Sequence, residues 1–201
     1  MAAPATRLSA HASAAGWPLL AVALAVTVYG LPGLQAALVY DRSAILAGEL
    51  WRLLTGHWVH FGATHLLYDA ILLGLGGWVI AQRRYRHFAA LCLLSALSIS
   101  LSLLVLRPDM AFYGGLSGLA MASTVYLALK GLGEPAPWRG ASALVLLLCA
   151  GKLLYEAWLG PLGLVDTEAG WVVEPLSHAI GAGCAVMVYL GSTPRRLTPP
   201  A

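Results

Sequence analysis

The plan of the predicted fold depends on one glycine-rich stretch, Tyr113-Gly114-Gly115-Leu116-Ser117-Gly118-Leu119-Ala120-Met121. It places a single serine among three glycines, at the expected start of an apolar helix. Glycine lets the backbone turn sharply and lets a substrate approach closely. Unpaired N–H groups at a helix N-terminus can also stabilise a developing oxyanion. We therefore interpret Ser117 as a candidate nucleophile, with close helix packing as the alternative role of a Gly-x-Ser-Gly sequence in a membrane.

The helix that begins near Ser117 is short. It ends by Lys130, so it has about fourteen residues and measures roughly 21 Å at 1.5 Å per residue. The hydrocarbon core of a bilayer is about 30 Å thick. If Lys130 lies at one interface, Ser117 lies below the opposite one, and residues 110–116 form irregular backbone that protein or water must cover. This arrangement predicts a submerged and hydrated site.

Composition places the chain in a membrane. Of its 201 residues, 59% are hydrophobic and only 10% are charged, and the mean hydropathy is +0.76. Soluble domains are roughly half apolar or less. The net charge of +3 is small and the positive residues lie in short connections, so the sequence predicts no nucleic-acid partner. Cys92, Cys149 and Cys184 lie in apolar runs without a CxxC pair, and we expect buried free thiols.

Six apolar runs predict an all-α polytopic membrane protein, a six-helix transmembrane bundle whose short fourth helix carries the serine. The runs are 17–31, 60–81, 88–106, 117–130, 141–159 and 175–190. We expect a flexible cytoplasmic N-terminus at 1–16, one membrane domain at 17–191 and a cytoplasmic tail at 192–201. A signal peptide cleaved near Leu34-Gln35-Ala36 is the alternative interpretation of the first run. Residues 40–56 are expected to fold on the membrane surface.

The distribution of positive charge predicts the orientation of the bundle. One predicted side carries Arg7, Arg83, Arg84, Arg86, Lys130, Arg139, Arg195 and Arg196, whereas the other carries Arg42, Arg52 and Arg107. By the positive-inside rule, both termini face the cytoplasm. Ser117 then lies near the external face.

His178 is a candidate base on the same face. It lies near the external start of the sixth span, at a depth comparable to that of Ser117. Small residues share a helical face with each of them, namely Gly181, Ala182 and Ala185 beyond the histidine and Gly114, Gly118 and Ala122 around the serine. Helices with such residues approach closely, which would bring the imidazole within hydrogen-bond reach of Ser117. A structural histidine bonded to a carbonyl is the alternative.

A third polar cluster lies in residues 51–69. His65 and Asp69 are four residues apart and share one face of an apolar span, which costs stability unless they meet partners. One interpretation is a metal site with ligands His57, His60, His65 and Asp69. Against a catalytic metal, the chain has no HExxH motif, and we expect the fifth and sixth spans to supply no carboxylate positioned with His178.

Taken together, these motifs resemble the rhomboid family of intramembrane serine proteases. The resemblance runs from Trp51 to about Ala185 through three motifs in the expected order, which are Trp51-Arg52 with His60-x4-His65-x3-Asp69, Gly114-Gly115-Leu116-Ser117-Gly118, and His178-x2-Gly181. The opening Trp51-Arg-Leu-Leu-Thr-Gly-His57, the compact length and Lys152-Leu-Leu-Tyr-Glu156 are similar to the rhombosortase branch. Proteins of that branch are thought to process secreted proteins with a C-terminal Gly-Gly sorting tail, which implies a Gram-negative inner membrane.

The resemblance also implies roles for individual residues. Ser117 would be the nucleophile and His178 its base and acid, in a dyad that requires no carboxylate. The oxyanion would be bound by His65, the Asp69 position and the Ser117 backbone N–H, in a loop shaped by Gly115 and Leu116. Structural support would come from Trp51, Arg52, His60, Gly118 and Gly181. The implied substrates are membrane-anchored proteins with a C-terminal or single transmembrane segment, cleaved within the lipid bilayer without a metal or cofactor.

The chain departs from the family pattern at two positions. Asp69 stands where the family usually has asparagine, and an ionised carboxylate would repel an oxyanion. We expect Asp69 either to be neutral and to donate through its O–H, or to orient His65 from outside the oxyanion hole. Met121 stands where an aromatic residue often packs on the histidine, and a thioether can take that place.

Other functions stay open at this point. Lys152 and Glu156 are four residues apart in the fifth span, which predicts an ion pair that places the helix or contacts substrate. A proteolytically inactive scaffold that binds membrane segments would fit the departure at Asp69. A small transporter or metal-handling protein would use the histidine cluster, but it would leave the glycine-serine loop unexplained.

Overall fold

The computed structural model describes residues 5–163 and 173–192, with side chains from residue 16 onward. Within these ranges the chain is mostly helical, with nine α-helices: α1 (Ala5–Tyr29), α2 (Pro32–Leu38), α3 (Arg42–Leu46), α4 (Arg52–Thr55), α5 (Ala63–Gln82), α6 (Phe88–Leu106), α7 (Ser117–Gly131), α8 (Trp138–Leu159) and α9 (Pro175–Ser192). A 3-10 turn covers Gly56–Trp58. The central part of the predicted 160–174 connection and the C-terminal tail lie outside the described residues.

Three of the described helices, α5, α6 and α8, are long and apolar enough to cross a membrane. Gly16–Tyr29 and Pro32–Leu38 meet at 111° and would make a fourth crossing if the bent pair acts as one span. Large apolar side chains point outward from these helices, as on Val105 and Leu147, which are 74% and 71% exposed. Such outward faces suit lipid, because lipid tails are as apolar as leucine.

The later helices occupy the predicted apolar runs closely. From α5 to α9, each helix begins and ends within three residues of the corresponding run. The number of membrane crossings stays a prediction, because α7 has only 15 residues and α9 is not among the helices that are apolar enough by composition. The first helix differs more, since α1 begins at Ala5, inside the segment predicted to be a flexible terminus.

Helix α7 lies at the centre of the bundle. It packs against α5, α6, α8 and α9, and most of its residues are buried, including Ala120, Ala122 and Tyr126. Small side chains along α7 allow its neighbours to approach, most closely α9. Because α7 is enclosed, its first residue, Ser117, is held inside the protein rather than on a mobile surface loop.

The connection between α2 and α5 is attached to the loop that precedes α7. Strand Tyr40–Asp41 pairs antiparallel with strand Phe112–Tyr113, in the register Tyr40 opposite Tyr113. This two-residue pairing is a local addition to a mostly helical fold, and the sequence has no alternating strand pattern there that would predict it. Arg42 strengthens the attachment, because its backbone N–H donates to Ala111 and its Nη1 donates to the Leu104 carbonyl at 2.7 Å. These bonds attach the start of the glycine-rich loop and the end of α6 to residues 40–42.

Candidate active site

Ser117 is the first residue of α7, and the loop before it is held by close contacts. Gly115 has a φ of +127°, which is a conformation that favours glycine. At Gly114 a Cβ would lie 2.6 Å from the Val59 carbonyl oxygen, so only glycine fits there. The Leu116 backbone N–H donates to His60 Nε2 over 3.3 Å. The backbone that leads to Ser117 is therefore held in place by its contacts with Val59 and His60.

Three polar residues of the second predicted span meet beneath this loop. Asp69 Oδ2 lies 3.2 Å from His60 Nε2 and 3.2 Å from His65 Nε2. All three side chains are buried. Gly115 lies directly above them, because a Cβ at that position would be 2.7 Å from His65 Cε1. Close approach of the loop to His65 thus depends on the missing side chain at Gly115.

His65 contacts Asp69 but makes no well-oriented hydrogen bond among the described residues. Neither of its ring nitrogens has a well-oriented partner among the described residues. The 3.2 Å separation from Asp69 is short enough for a bond, but its direction is poor. A buried polar group without a partner costs roughly 1–3 kcal/mol. Such a cost is tolerated at sites where a ligand supplies the missing partner.

His178 is positioned by the packing of α9 on α7. Gly181 lies against Gly118, so that a Cβ on Gly181 would be 2.1 Å from the Gly118 carbonyl oxygen. On the opposite side, Gly118 faces the Ser177 carbonyl and Ile99. These contacts bring α9 against α7 one turn away from His178, which is 4% exposed. Of the small residues predicted on the two facing surfaces, Gly181 meets Gly118 and Ala122, whereas Gly114 lies against Val59 and Phe61.

Glu156 of α8 binds His178, contrary to the expectation that the fifth and sixth spans supply no carboxylate positioned with it. His178 Nδ1 lies 2.8 Å from Glu156 Oε2, and the predicted ion pair between Lys152 and the other oxygen of Glu156 is present. Lys152 Nζ also lies 2.8 Å from His178 Nδ1. The available sequence signal was a charged pair, Lys152 and Glu156, in an otherwise apolar helix.

One cavity of about 330 Å³ brings the predicted residues of three separate motifs together. Its lining includes His65, Asp69, Ser117 and His178, together with Met121. Lys152 and Glu156 line the same cavity from α8. Apart from these polar groups its walls are mainly apolar, with Leu72 and Leu148 among them. A polar site with a nucleophile, an imidazole and an unpaired donor is thus enclosed by apolar surface.

Glu174 anchors the start of α9. Its Oε1 accepts from the Leu176 backbone N–H at 3.1 Å, and its Oε2 pairs with Arg107 from the end of α6. Ser177 Oγ donates to the Glu174 carbonyl at 2.8 Å. Since the Glu174 side chain is only 5% exposed, these bonds hold the helix end that carries His178.

The remaining predicted residues lie outside the cavity. Arg52 Nη1 donates to the carbonyls of Ala36 and Val39, at 3.0 and 2.8 Å, and its Nε pairs with Glu49. Trp51 is 53% exposed, with its indole N–H 3.4 Å from the Ala37 carbonyl. Both residues therefore attach the connection between α2 and α5 to the C-terminal end of α2, and neither contacts the reacting groups.

The histidines of the proposed metal site do not all face a common centre. His57 Nε2 lies 3.0 Å from the Ala96 carbonyl and 3.2 Å from Ser100 Oγ on α6, so the ring is directed away from Asp69. Within residues 5–163 and 173–192, no three His, Cys, Asp or Glu residues are grouped as metal ligands would be. The four-ligand metal interpretation is therefore wrong for His57. The three cysteines are free, as predicted, and Cys92 and Cys184 are buried, whereas Cys149 is only partly buried.

One known protein family matches most of the chain. The family model described as Rhomboid domain matches residues 47–192. The match begins just before Trp51 and includes every residue that lines the cavity. No curated protein matches the chain in a sequence search.

Proposed function

The chain belongs to the rhomboid family, and we propose that it is an intramembrane serine endopeptidase whose reacting groups are Ser117 and His178. Rhomboid proteins are in general intramembrane serine proteases, and the family together with the apolar helices makes this chain an integral membrane protein. The observation that carries the proposal is the single cavity lined by Ser117, His178, His65 and Asp69.

The proposed chemistry is acyl transfer followed by hydrolysis. Ser117 Oγ attacks the carbonyl carbon of the scissile peptide bond, and its proton passes to His178. His178 Nδ1 faces α8, so Nε2 is the ring nitrogen that serves Ser117. The imidazolium then gives the proton to the departing amine, and an acyl-enzyme ester remains on Ser117. Water activated by the neutral imidazole hydrolyses the ester and restores the serine hydroxyl.

The negative charge that develops on the substrate oxygen needs donors nearby. His65 has buried ring nitrogens without well-oriented partners, and the N–H groups at the start of α7 point toward the loop side of the helix. We assign the oxyanion to His65 and the Ser117 backbone N–H, in a loop shaped by Gly115 and Leu116. Loss of one such donor typically raises a barrier by about 3–4 kcal/mol.

The proposed substrates are membrane-anchored proteins with a C-terminal or single transmembrane segment. The apolar walls of the cavity suit an unwound piece of such a segment. The positive-inside rule places both termini in the cytoplasm and Ser117 near the external face, across six crossings. In a bacterial inner membrane this face is periplasmic.

A narrower substrate class follows from the rhombosortase-like segments at 51–57 and 152–156. We propose that the enzyme cleaves next to the Gly-Gly of C-terminal sorting tails, where small residues allow the chain to enter a narrow site. A reporter protein with such a tail, coexpressed with the enzyme, should be released as a shorter soluble product. A reporter with Val-Val in place of Gly-Gly should stay uncut. Equal release of both reporters would contradict this substrate preference.

Labelling with a fluorophosphonate serine probe tests the proposed activity. We expect the purified protein to be labelled in detergent and the Ser117→Ala and His178→Ala variants to remain unlabelled. Ser123→Ala is the matched control, because Ser123 lies on the same helix and its Oγ donates to the Leu119 carbonyl. It should label like the native chain. Labelling that persists in Ser117→Ala would reject Ser117 as the nucleophile.

A proteolytically inactive rhomboid-like scaffold is the second candidate, because an aspartate stands at the usual asparagine position. Such a protein would bind membrane segments without cutting them. It predicts a folded native chain that stays unlabelled by the probe while an active serine protease of similar size reacts. It also predicts crosslinking to membrane proteins that does not change in Ser117→Ala.

A further inference from the structure

His178 Nδ1 has two possible partners of opposite charge. Glu156 Oε2 and Lys152 Nζ each lie 2.8 Å from this nitrogen. The Glu156 side chain is 2% exposed and that of His178 is 5% exposed, whereas Lys152 is 29% exposed. The carboxylate is thus the more deeply buried of the two partners.

The two partners require different proton positions on the ring. A carboxylate only accepts, so a bond to Glu156 needs a proton on Nδ1, whereas an ammonium only donates, so a bond to Lys152 needs the Nδ1 lone pair. In the first case Nε2 is free to accept the proton of Ser117. In the second case a neutral ring carries its proton on Nε2 and cannot act as a base.

We propose that Glu156 is a positioning residue that holds His178 in the base-competent tautomer, and that by pairing with Lys152 through its other carboxylate oxygen it stops the nearby ammonium from donating to Nδ1. The proposal rests on the proposed protease function. It extends the Ser-His dyad to three residues, which are Ser117 of α7, His178 of α9 and Glu156 of α8. The carboxylate also stabilises the imidazolium that forms when Ser117 is deprotonated.

Other charged groups do not provide this bond. On the α5 side, the cavity is lined by His65 and Asp69, and Asp69 contacts His60 and His65. Glu174, near the start of α9, pairs with Arg107. Among the described residues, Glu156 is therefore the carboxylate bonded to His178.

Inactivation kinetics with the fluorophosphonate probe test the proposal in the full-length protein. The rate constant kinact reports the attack by Ser117, and KI reports probe binding. For Glu156→Gln we expect kinact to fall about 100-fold, with KI changed by less than about twofold. Tyr155→Phe is the neighbouring control on the exposed face of α8, since Tyr155 is 42% exposed. It should keep the native kinact.

The double variant Lys152→Met/Glu156→Gln separates positioning from a merely structural role. In Glu156→Gln, the released Lys152 is free to bind Nδ1 and hold the wrong tautomer. Removing the lysine as well lets the side-chain carbonyl of the introduced glutamine accept from Nδ1–H. We therefore expect the double variant to recover about tenfold in kinact over Glu156→Gln, which is a non-additive result. It should stay about tenfold below Lys152→Met, because an amide stabilises the imidazolium less than a carboxylate does. A structural role predicts no such rescue.

The labelling results distinguish a failure of the positioning role of Glu156 from a failure of the proposed protease function. If the native chain labels through Ser117 and His178 but Glu156→Gln keeps its kinact, the positioning role is overturned and the protease function stands. If the native chain does not label, the protease function itself fails. If Glu156→Gln does not fold, the double variant is compared with Lys152→Met, because removing both members of a buried ion pair is commonly tolerated. Equal kinact in that pair would also overturn the proposal.

Discussion

Gly181 and Gly118 touch across the α7–α9 interface, where a Cβ on Gly181 would lie 2.1 Å from the Gly118 carbonyl oxygen. Gly118 directly follows Ser117, and Gly181 lies one helical turn beyond His178. The separation of the two glycines therefore sets how closely the proposed nucleophile and base approach. A methyl group at this contact would have to move one helix, because the obstructing atom belongs to the backbone.

Gly181→Ala should consequently impair the reaction more than it impairs folding. Relieving the contact moves α9 away by about 1 Å, and a misplacement of that size can cost about 100-fold in rate. Overpacking of this kind costs roughly 1–3 kcal/mol of stability. We expect kinact for the fluorophosphonate probe to fall about 100-fold while the protein still purifies as a folded monodisperse species.

Gly183→Ala is the matched control for this variant. It lies on the same helix, faces outward, and has open space around a built Cβ. It should match the native chain in both kinact and melting temperature, with a small gain in helix propensity. Native kinact in Gly181→Ala would show that the α7–α9 spacing does not control the reaction.

Gly115→Ala should abolish labelling for two reasons, which are backbone strain and a clash with His65. The variant Gly48→Ala distinguishes these two reasons. Its φ of +127° strains any larger residue, and its Cβ would lie 2.7 Å from His65 Cε1. Gly48 has a similar φ of +109° but open space around it. Gly48→Ala should therefore lower the melting temperature without changing kinact. If both variants lose labelling equally, strain rather than contact with His65 explains the effect.

The sequence predicted helices α5 to α9 well because their lengths follow from apolar runs, a local property, whereas the short helices α2, α3 and α4 have no such run. The start of α7 at Ser117 and the meeting of Gly118 with Gly181 followed from the spacing of small residues. The pairing of strand Tyr40–Asp41 with Phe112–Tyr113 was missed. Two-residue strands have no period to detect, and their partners are far apart in the chain.

The sequence predicted which residues form the site more completely than it predicted the contacts between them. Glu156 was expected to pair with Lys152, and it does, but its bond to His178 was not predicted. That bond depends on the rotation of α8 against α9, which hydrophobicity alone does not determine. His60 was assigned only a structural role, yet it joins Leu116 of the serine loop to Asp69 of α5.

The protonation of Asp69 can be tested by replacing it with asparagine. His60 Nδ1 lies 3.2 Å from the Trp58 carbonyl, and its Nε2 accepts from the Leu116 N–H. A neutral His60 with its proton on Nδ1 satisfies both bonds. Asp69 Oδ2 lies 3.2 Å from the same Nε2, where two acceptors would repel each other. A proton on the carboxyl group relieves this repulsion by sharing the single Nε2 lone pair with the Leu116 N–H. An asparagine amide can donate in its place.

We therefore expect Asp69→Asn to keep or raise kinact at pH 7, with a melting temperature close to that of the native chain. Asp69→Leu has a similarly forked side chain, but it is larger and cannot donate, so it should lose labelling and stability together. A folded Asp69→Asn protein with almost no labelling would contradict the neutral-donor arrangement, and would favour an ionised Asp69 that orients His65.

The burial of His57 predicts how the stability of the folded protein changes with pH. Its ring is fully buried in the 3-10 turn, and burial lowers its pKa to about 4, whereas an unfolded histidine has its pKa near 6.5. Between these values the unfolded chain binds a proton that the folded chain excludes, so stability falls as the pH falls from 6.5 toward 4. At pH 5 the loss amounts to about 2 kcal/mol, at 1.36 kcal/mol per pH unit.

Melting curves in detergent at pH 7, 6 and 5 measure this effect. His57→Gln keeps a donor for the Ala96 carbonyl without a titrating ring, so we expect its melting temperature to decline less on acidification than that of the native chain. His87→Gln removes an exposed histidine and should decline like the native chain. Because Asp69 and Glu156 titrate alike in all three proteins, the difference isolates His57. Identical declines for His57→Gln and the native chain would show that His57 does not couple folding to protons.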